Sequence, residues 1–243
     1  MGGARAAGRE PPALASLPYL GASALLHVAY FALLVAAYRA ADLSLVYPIA
    51  RGVPPLLVAC ASWAFAGEQP PLVGAGGVAL VAGGVLALGL VRTHASTSPR
   101  AKGILLALAT ALFVASYTVI DGLGARASGA PFGYAAWLFV AQGTLFAVGA
   151  LAYGGAAVRR EVWARRKESA LAGIVAAGGY AIALWAMTEA PIAFVAALRE
   201  TSVVFAAILG ALFLKEPFGR PRVLAAAAVA AGVVAIQLAG RSA

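Results

Sequence analysis

Two arginines, Arg51 and Arg199, each stand roughly nine residues inside a long apolar segment and lie 148 positions apart. The same offset pairs Phe65 with Phe213, Glu68 with Glu216 and Gly84 with Gly232. A guanidinium at that depth in a bilayer is costly unless it faces a polar cavity or a partner. Its planar fork suits a carboxylate or phosphate held by two hydrogen bonds. Two such groups at matching places in what reads as a duplicated unit point to a hydrated path and an anionic or zwitterionic small molecule. The competing reading is structural: an Arg51–Glu200 ion pair, or side chains reaching for an interface.

Glu200 follows Arg199 directly, so the two side chains project about 100° apart on a helix. It suits either neutralising Arg51 or carrying a proton, as intramembrane carboxylates do in relays. The run Tyr47-Pro48-Ile49-Ala50-Arg51-Gly52-Val53-Pro54-Pro55 is the least helix-like stretch inside any apolar segment. Each proline withholds an N–H from the carbonyl four residues back, here Ser44, Ala50 and Arg51. Broken backbone at membrane depth is tolerated only within protein or beside water. The run is thus a cradle for a bound molecule or a kink that aids packing. His27 and Tyr30, spaced i, i+3, share a helix face. With Tyr117, Trp137, Gln142, Tyr180 and Trp185 they make a candidate amphipathic lining. Asp121 reads as the end of a helix turning into Gly122, and Glu68 and Glu216 as residues closing their helices at the surface. No serine elbow, paired-histidine zinc motif or CxxC is present, so neither a catalytic residue, nor a metal site, nor a cofactor is expected. The glycine run at Gly74–Ala79 sits in an apolar span with no acidic residue at dinucleotide spacing.

The elements that must carry these residues follow from composition. Of 243 residues 63% are hydrophobic and 11% charged, with a mean hydropathy of +0.90. Pro11–Tyr38, Gln69–Val91 and Ala127–Val158 contain no charged side chain, and about 18 such residues span the hydrocarbon as a helix. The expected fold is all-α: a polytopic membrane bundle of about eight helices. They run Leu17–Ala37, Leu43–Ala66, Pro71–Val91, Gly103–Ile120, Gly133–Tyr153, Ser169–Met187, Pro191–Leu214 and Val223–Ala239. The small-residue stripes Ala75, Ala79, Gly83, Ala87 and Ala227, Ala231, Ala235, Ala239 allow close helix approach, which suits scaffold packing or a homodimer interface. Single Cys60 excludes an internal disulfide.

The net charge of +9 is not a nucleic-acid signal, because the basic residues cluster in short loops between apolar spans. Twelve lie on the side of Arg39, Arg92, the run 159–167 and Lys215, against four on the other. The positive-inside rule then places both termini outside. Opposite sidedness of the Glu68 and Glu216 loops makes the repeat an inverted one, the arrangement of secondary transporters. The first three helices match the last three, so the pattern is three plus five, with residues 1–16 preceding it.

Two segments carry a family resemblance: AYRAADLSLVYPIARGVPPLLVACASWAFAGE, Ala37 to Glu68, and AMTEAPIAFVAALRETSVVFAAILGALFLKE, Ala186 to Glu216, each followed by a glycine-bearing helix. The chain resembles the EamA-type carriers of the drug/metabolite transporter superfamily. The resemblance implies ten helices in two inverted repeats around a central cavity, with export or exchange of small metabolites, amino acids or drugs. Here 17–92 corresponds to a partial first repeat and 103–240 to a complete second one; the first two helices of the pattern are missing. The implied location is the bacterial plasma membrane, and the implied partners are lipid and a small solute. Two alternatives stand: a flippase for anionic lipid-linked sugars, and a truncated or assembly subunit that transports nothing alone.

Overall fold

The structure is a computed structural model and describes residues 12–90, 100–205, 208 and 220–241. The described residues are helical apart from short connections. After a 3-10 turn at Leu14–Ser16, the helices are α1 Leu17–Ala40, α2 Leu43–Gly52, α3 Pro54–Ala66, α4 Leu72–Leu90, α5 Arg100–Ser128, α6 Pro131–Tyr153, α7 Gly155–Ala164, α8 Arg166–Glu189, α9 Ile192–Arg199 and α10 Arg220–Arg241. Among the described residues six helical stretches are long and apolar enough to cross a membrane, and Leu72–Leu88 is a shorter apolar helix. The chain is an all-helical polytopic membrane bundle. The expected third-span end at Val91, the loop from Arg92 to Pro99, and Phe213, Lys215 and Glu216 lie outside the described residues.

Contacts divide the chain into two compact units, residues up to Val28 with Ile120–Glu189, and Ala29–Val119 with the chain from Ala190. Helices α1 and α5 each pass from one unit into the other.

In the unit containing Ala29–Val119, α4 packs along α10, and absent side chains set their spacing. A Cβ built on Gly77 would stand 2.8 Å from the Gly232 carbonyl oxygen, and one on Gly232 2.6 Å from that of Gly77. One on Gly84 would meet the Ala225 carbonyl oxygen at 2.8 Å and Val229, while Gly232 likewise meets Val81. As numbering falls along α4 it rises along α10, so the helices are antiparallel. Adding 148 turns Gly84, Gly77 and Val81 into Gly232, Ala225 and Val229. The contact therefore maps onto itself, as an isologous interface does. The seam runs through Val78, Val81, Val85, Ala225, Val229 and Ile236, all buried. The stripe Ala75, Ala79, Gly83 lies off this seam and is exposed. Ala79, Gly83 and Ala87 line an open apolar groove of about 410 Å³ with Leu80, Leu224 and Ala228. The scaffold-packing alternative therefore does not hold for Ala75, Ala79 and Gly83, because a four-residue period drifts off a face that repeats every 3.6, whereas Ala239 is buried in the core.

The expected single helices over Leu43–Ala66 and Pro191–Leu214 are both interrupted. Pro54 and Pro55 offer no N–H to Ala50 and Arg51, and the helix divides at Val53. Around Glu200 and Thr201 the bonding tightens: Glu200 N–H donates to Ala197 O at 3.1 Å and Thr201 N–H to Leu198 O at 3.1 Å. These i→i−3 bonds make a 3-10-like turn before the helix resumes at 202–205. Val53 and Thr201 are 148 apart, the same offset that separates Arg51 from Arg199. Proline makes the first; the second has none, which is why the sequence concealed it.

Glu68 follows the end of α3 and also makes a contact that the sequence did not indicate. Both carboxylate oxygens accept the Ile192 N–H, at 3.0 and 2.9 Å. The end of α3 thereby supplies the anion that a helix N-terminus attracts, closing the first turn of α9.

In the other unit α6 packs on α8. Helix α5 runs on to Ser128 rather than ending at Ile120, since Asp121-Gly-Leu-Gly lacks any proline to stop it. Its end is capped by the Ser128 hydroxyl, which donates to Ala125 O at 2.7 Å and accepts the Ala130 N–H at 3.1 Å. Gly129, at φ +64°, supplies the left-handed residue that ends a helix. The expected loop Gly154–Glu168 holds the short helix α7, and α8 begins at Arg166.

Candidate functional site

The first group of polar side chains forms in the unit containing Ala29–Val119, at the two helix interruptions. Arg51 ends α2 and Glu200 follows α9. The Arg51 Nη1 lies 3.6 Å from Glu200 Oε1, with the arginine side chain 36% exposed and the glutamate 7%. The ion pair weighed against a binding role is thus present, but it is open on one side. Glu200 Oε2 is buried and has no hydrogen-bond partner among the described residues. Buried carboxylate oxygens are ordinarily satisfied, which makes this atom an exception among the described residues. Tyr30, Tyr47 and Tyr117 lie close enough to Arg51 to feel its charge, and Arg199 acts likewise on Glu200. Tyr30 and Tyr117 meet edge to face at 5.6 Å between centroids. Pro48 sits inside α2, one turn before Arg51. Seven of the nine expected site residues, Arg51, Arg199, Glu200, Tyr47, Pro48, Tyr30 and Tyr117, therefore belong to one unit.

His27 and Tyr180 belong to the other unit, with a residue that sequence reasoning set aside. Asp121 is fully buried within α5, not at a helix end. The Tyr134 hydroxyl donates to its Oδ1 at 3.0 Å and the Tyr180 hydroxyl to its Oδ2 at 2.5 Å. Tyr180 meets the His27 ring edge to face at 6.2 Å and Phe139 at 6.0 Å. The His27 Nδ1 lies 2.9 Å from Ser23 O and 3.2 Å from Ser23 Oγ. Gly124 makes the arrangement fit, because a Cβ there would stand 2.5 Å from the Tyr134 hydroxyl oxygen. The available signal was a lone carboxylate one turn after Tyr117 in an otherwise apolar helix. The following glycines were read as a turn instead.

Trp137 and Trp185 are exposed at 53% and 45% and join neither group. Gln142 is buried in α6, its Nε2 without a hydrogen-bond partner among the described residues. The Arg126 Nε donates to Met187 O at 2.8 Å, placing a cation at the end of α8, where the helix dipole favours one. Among the described residues no three His, Cys, Asp or Glu side chains gather.

The family model described as the EamA-like transporter family matches residues 101–238, more than half of the chain. One solved crystal structure superposes with a TM-score of 0.67 at 18% identity, covering 97% of this chain and 90% of that one. At that identity the likeness concerns the fold alone. No curated protein matches the chain.

Proposed function

Because the chain belongs to the EamA-like transporter family, and so is an integral membrane transporter of the drug/metabolite type, we propose that it is a secondary carrier for a small zwitterionic solute such as an amino acid. The observation that carries this reading is the Arg51–Glu200 pair. A solute carboxylate docks on the exposed edge of the Arg51 guanidinium, whose fork accepts two oxygens. The solute ammonium is held by the Glu200 carboxylate, whose Oε2 has no hydrogen-bond partner among the described residues. Arg199 keeps Glu200 in a positive surround, and Tyr30, Tyr47 and Tyr117 provide amphipathic walls. Loss of the Arg51 charge costs more than one hydrogen bond, because the buried Glu200 carboxylate loses its closest countercharge.

The same reading makes the interruptions at Val53 and Thr201 hinges, where backbone change is absorbed at low cost. The self-mapping α4–α10 contact and the interruptions 148 residues apart support an inverted repeat, in which alternating access is rocking of one half against the other. Export across a bacterial plasma membrane, with both termini outside, completes the proposal.

Ligand binding to the native form raises its unfolding temperature. Thermal unfolding of the detergent-solubilised chain over a panel of amino acids and anionic metabolites tests the pairing. Stabilisation by at least one zwitterion, absent in Arg51→Gln, is expected. Stabilisation that persists undiminished in Arg51→Gln overturns the binding role.

A further inference from the structure

We propose that Asp121 is a proton-binding site, gripped by Tyr134 and Tyr180 and made of residues other than those assigned to the solute. On the carrier reading above, its proton supplies the coupling ion. An ionisable side chain inside a membrane span is costly and marks function by default. Asp121 is fully buried, and each oxygen already receives a phenol. No part of a solute fits between them; a proton needs no room.

The chemistry of the cluster gives it two states. As a carboxylate, Asp121 is acceptor-only and takes one hydrogen bond from each phenol. A proton arriving from water forms an O–H bond on one oxygen, turning that oxygen into a donor. The facing phenol then accepts, and its own hydrogen must turn elsewhere. One proton thus separates two hydrogen-bond arrangements linking α5 to α6 through Tyr134 and to α8 through Tyr180. A two-state element biased by a local charge change is what a ligand-driven switch requires. The groups facing the carboxylate include Tyr134 from α6 and Tyr180 from α8, with His27 of α1 against the Tyr180 ring. On α5 itself the nearest cation in sequence is Arg126, whose Nε donates to Met187 O. Gly124 keeps the space for Tyr134, so the fold is shaped around this contact.

Infrared difference spectroscopy on the purified full chain in lipid, titrated from about pH 9 to about pH 4 to bracket ordinary carboxyl behaviour, tests the proposal without any solute. The expected result is a protonated-carboxyl band that grows reversibly on acidification, persists in Asp42→Asn and is lost in Asp121→Asn. Tyr180→Phe is expected to retain the band at an altered frequency, because one hydrogen-bond partner is gone. That variant keeps the assignment testable should Asp121→Asn fail to fold. The absence of any band sensitive to these substitutions overturns the proposal. So does an Asp121 band of constant amplitude throughout, which would mean a carboxyl that never exchanges its proton. Solute-induced stabilisation is read separately, so either idea can fail while the other stands.

Discussion

At the scale of single residues, two carboxylates in one apolar chain are held in opposite ways. Glu200 leans on a cation and keeps one oxygen without a hydrogen bond among the described residues; Asp121 accepts from two neutral phenols, one at each oxygen. The difference predicts different responses to substitution. Arg51→Gln removes the closer of the two cations that act on the 7%-exposed Glu200 side chain. Breaking a buried pair costs about 3–5 kcal/mol; the partial exposure of Arg51 reduces this to about 1–2 kcal/mol after solvent screening. Arg51→Gln/Glu200→Gln, lacking both charges, is expected to recover part of that loss in thermal unfolding. Equal loss in the single and double variants contradicts the pairing. Gly124→Ala crowds the Tyr134 hydroxyl and should cost about 1–3 kcal/mol as overpacking, with Gly76→Ala, where nothing lies within 4 Å of the added Cβ, as the neutral comparison. The Arg51–Glu200 ion pair and the break beside Pro54 were legible in the sequence because charge and proline are conspicuous in apolar spans. Asp121 was missed because its partners come from Tyr134 and Tyr180, 13 and 59 positions away, a distance no local pattern bridges.

At the scale of elements, the interruptions and the Glu68 contact decide how the helices are arranged. Long apolar stretches were readable as spans because 3.6-residue helices of that length have no other place to bury themselves. What composition does not encode is where a helix is cut without proline, as at Thr201, or where glycines fail to cut one, as after Asp121. Glu68 was readable as a helix end, but not as the acceptor for another helix. Its role predicts that Glu68→Ala weakens the first turn of α9 by about 1 kcal/mol, the usual worth of an N-terminal cap. Hydrogen exchange at the Ile192 amide is the direct measure. Faster exchange there in Glu68→Ala, with α10 amides unchanged, is expected; an unchanged Ile192 rate contradicts the cap. The α4–α10 seam predicts a second asymmetry. Gly77→Ala drives a methyl into the Gly232 carbonyl and should cost about 1–3 kcal/mol by thermal unfolding.

At the scale of the whole molecule, membership of a transporter family and the 148-residue offset act together. The offset was visible in four residue pairs. Its physical content is the reciprocal packing of α4 on α10, which an alignment of alanine-rich helices alone does not reveal. The account gives the Arg51–Glu200 pair the task of holding a solute, with Val53 and Thr201 as the places where the chain bends. Uptake or counterflow of radiolabelled amino acids in proteoliposomes, wild type against Arg51→Gln, tests this most directly. The account predicts that at least one zwitterion moves in the wild type and that its rate falls more than tenfold in Arg51→Gln, the loss of about 1.4 kcal/mol or more of solute stabilisation. Transport by Arg51→Gln at the wild-type rate would contradict it.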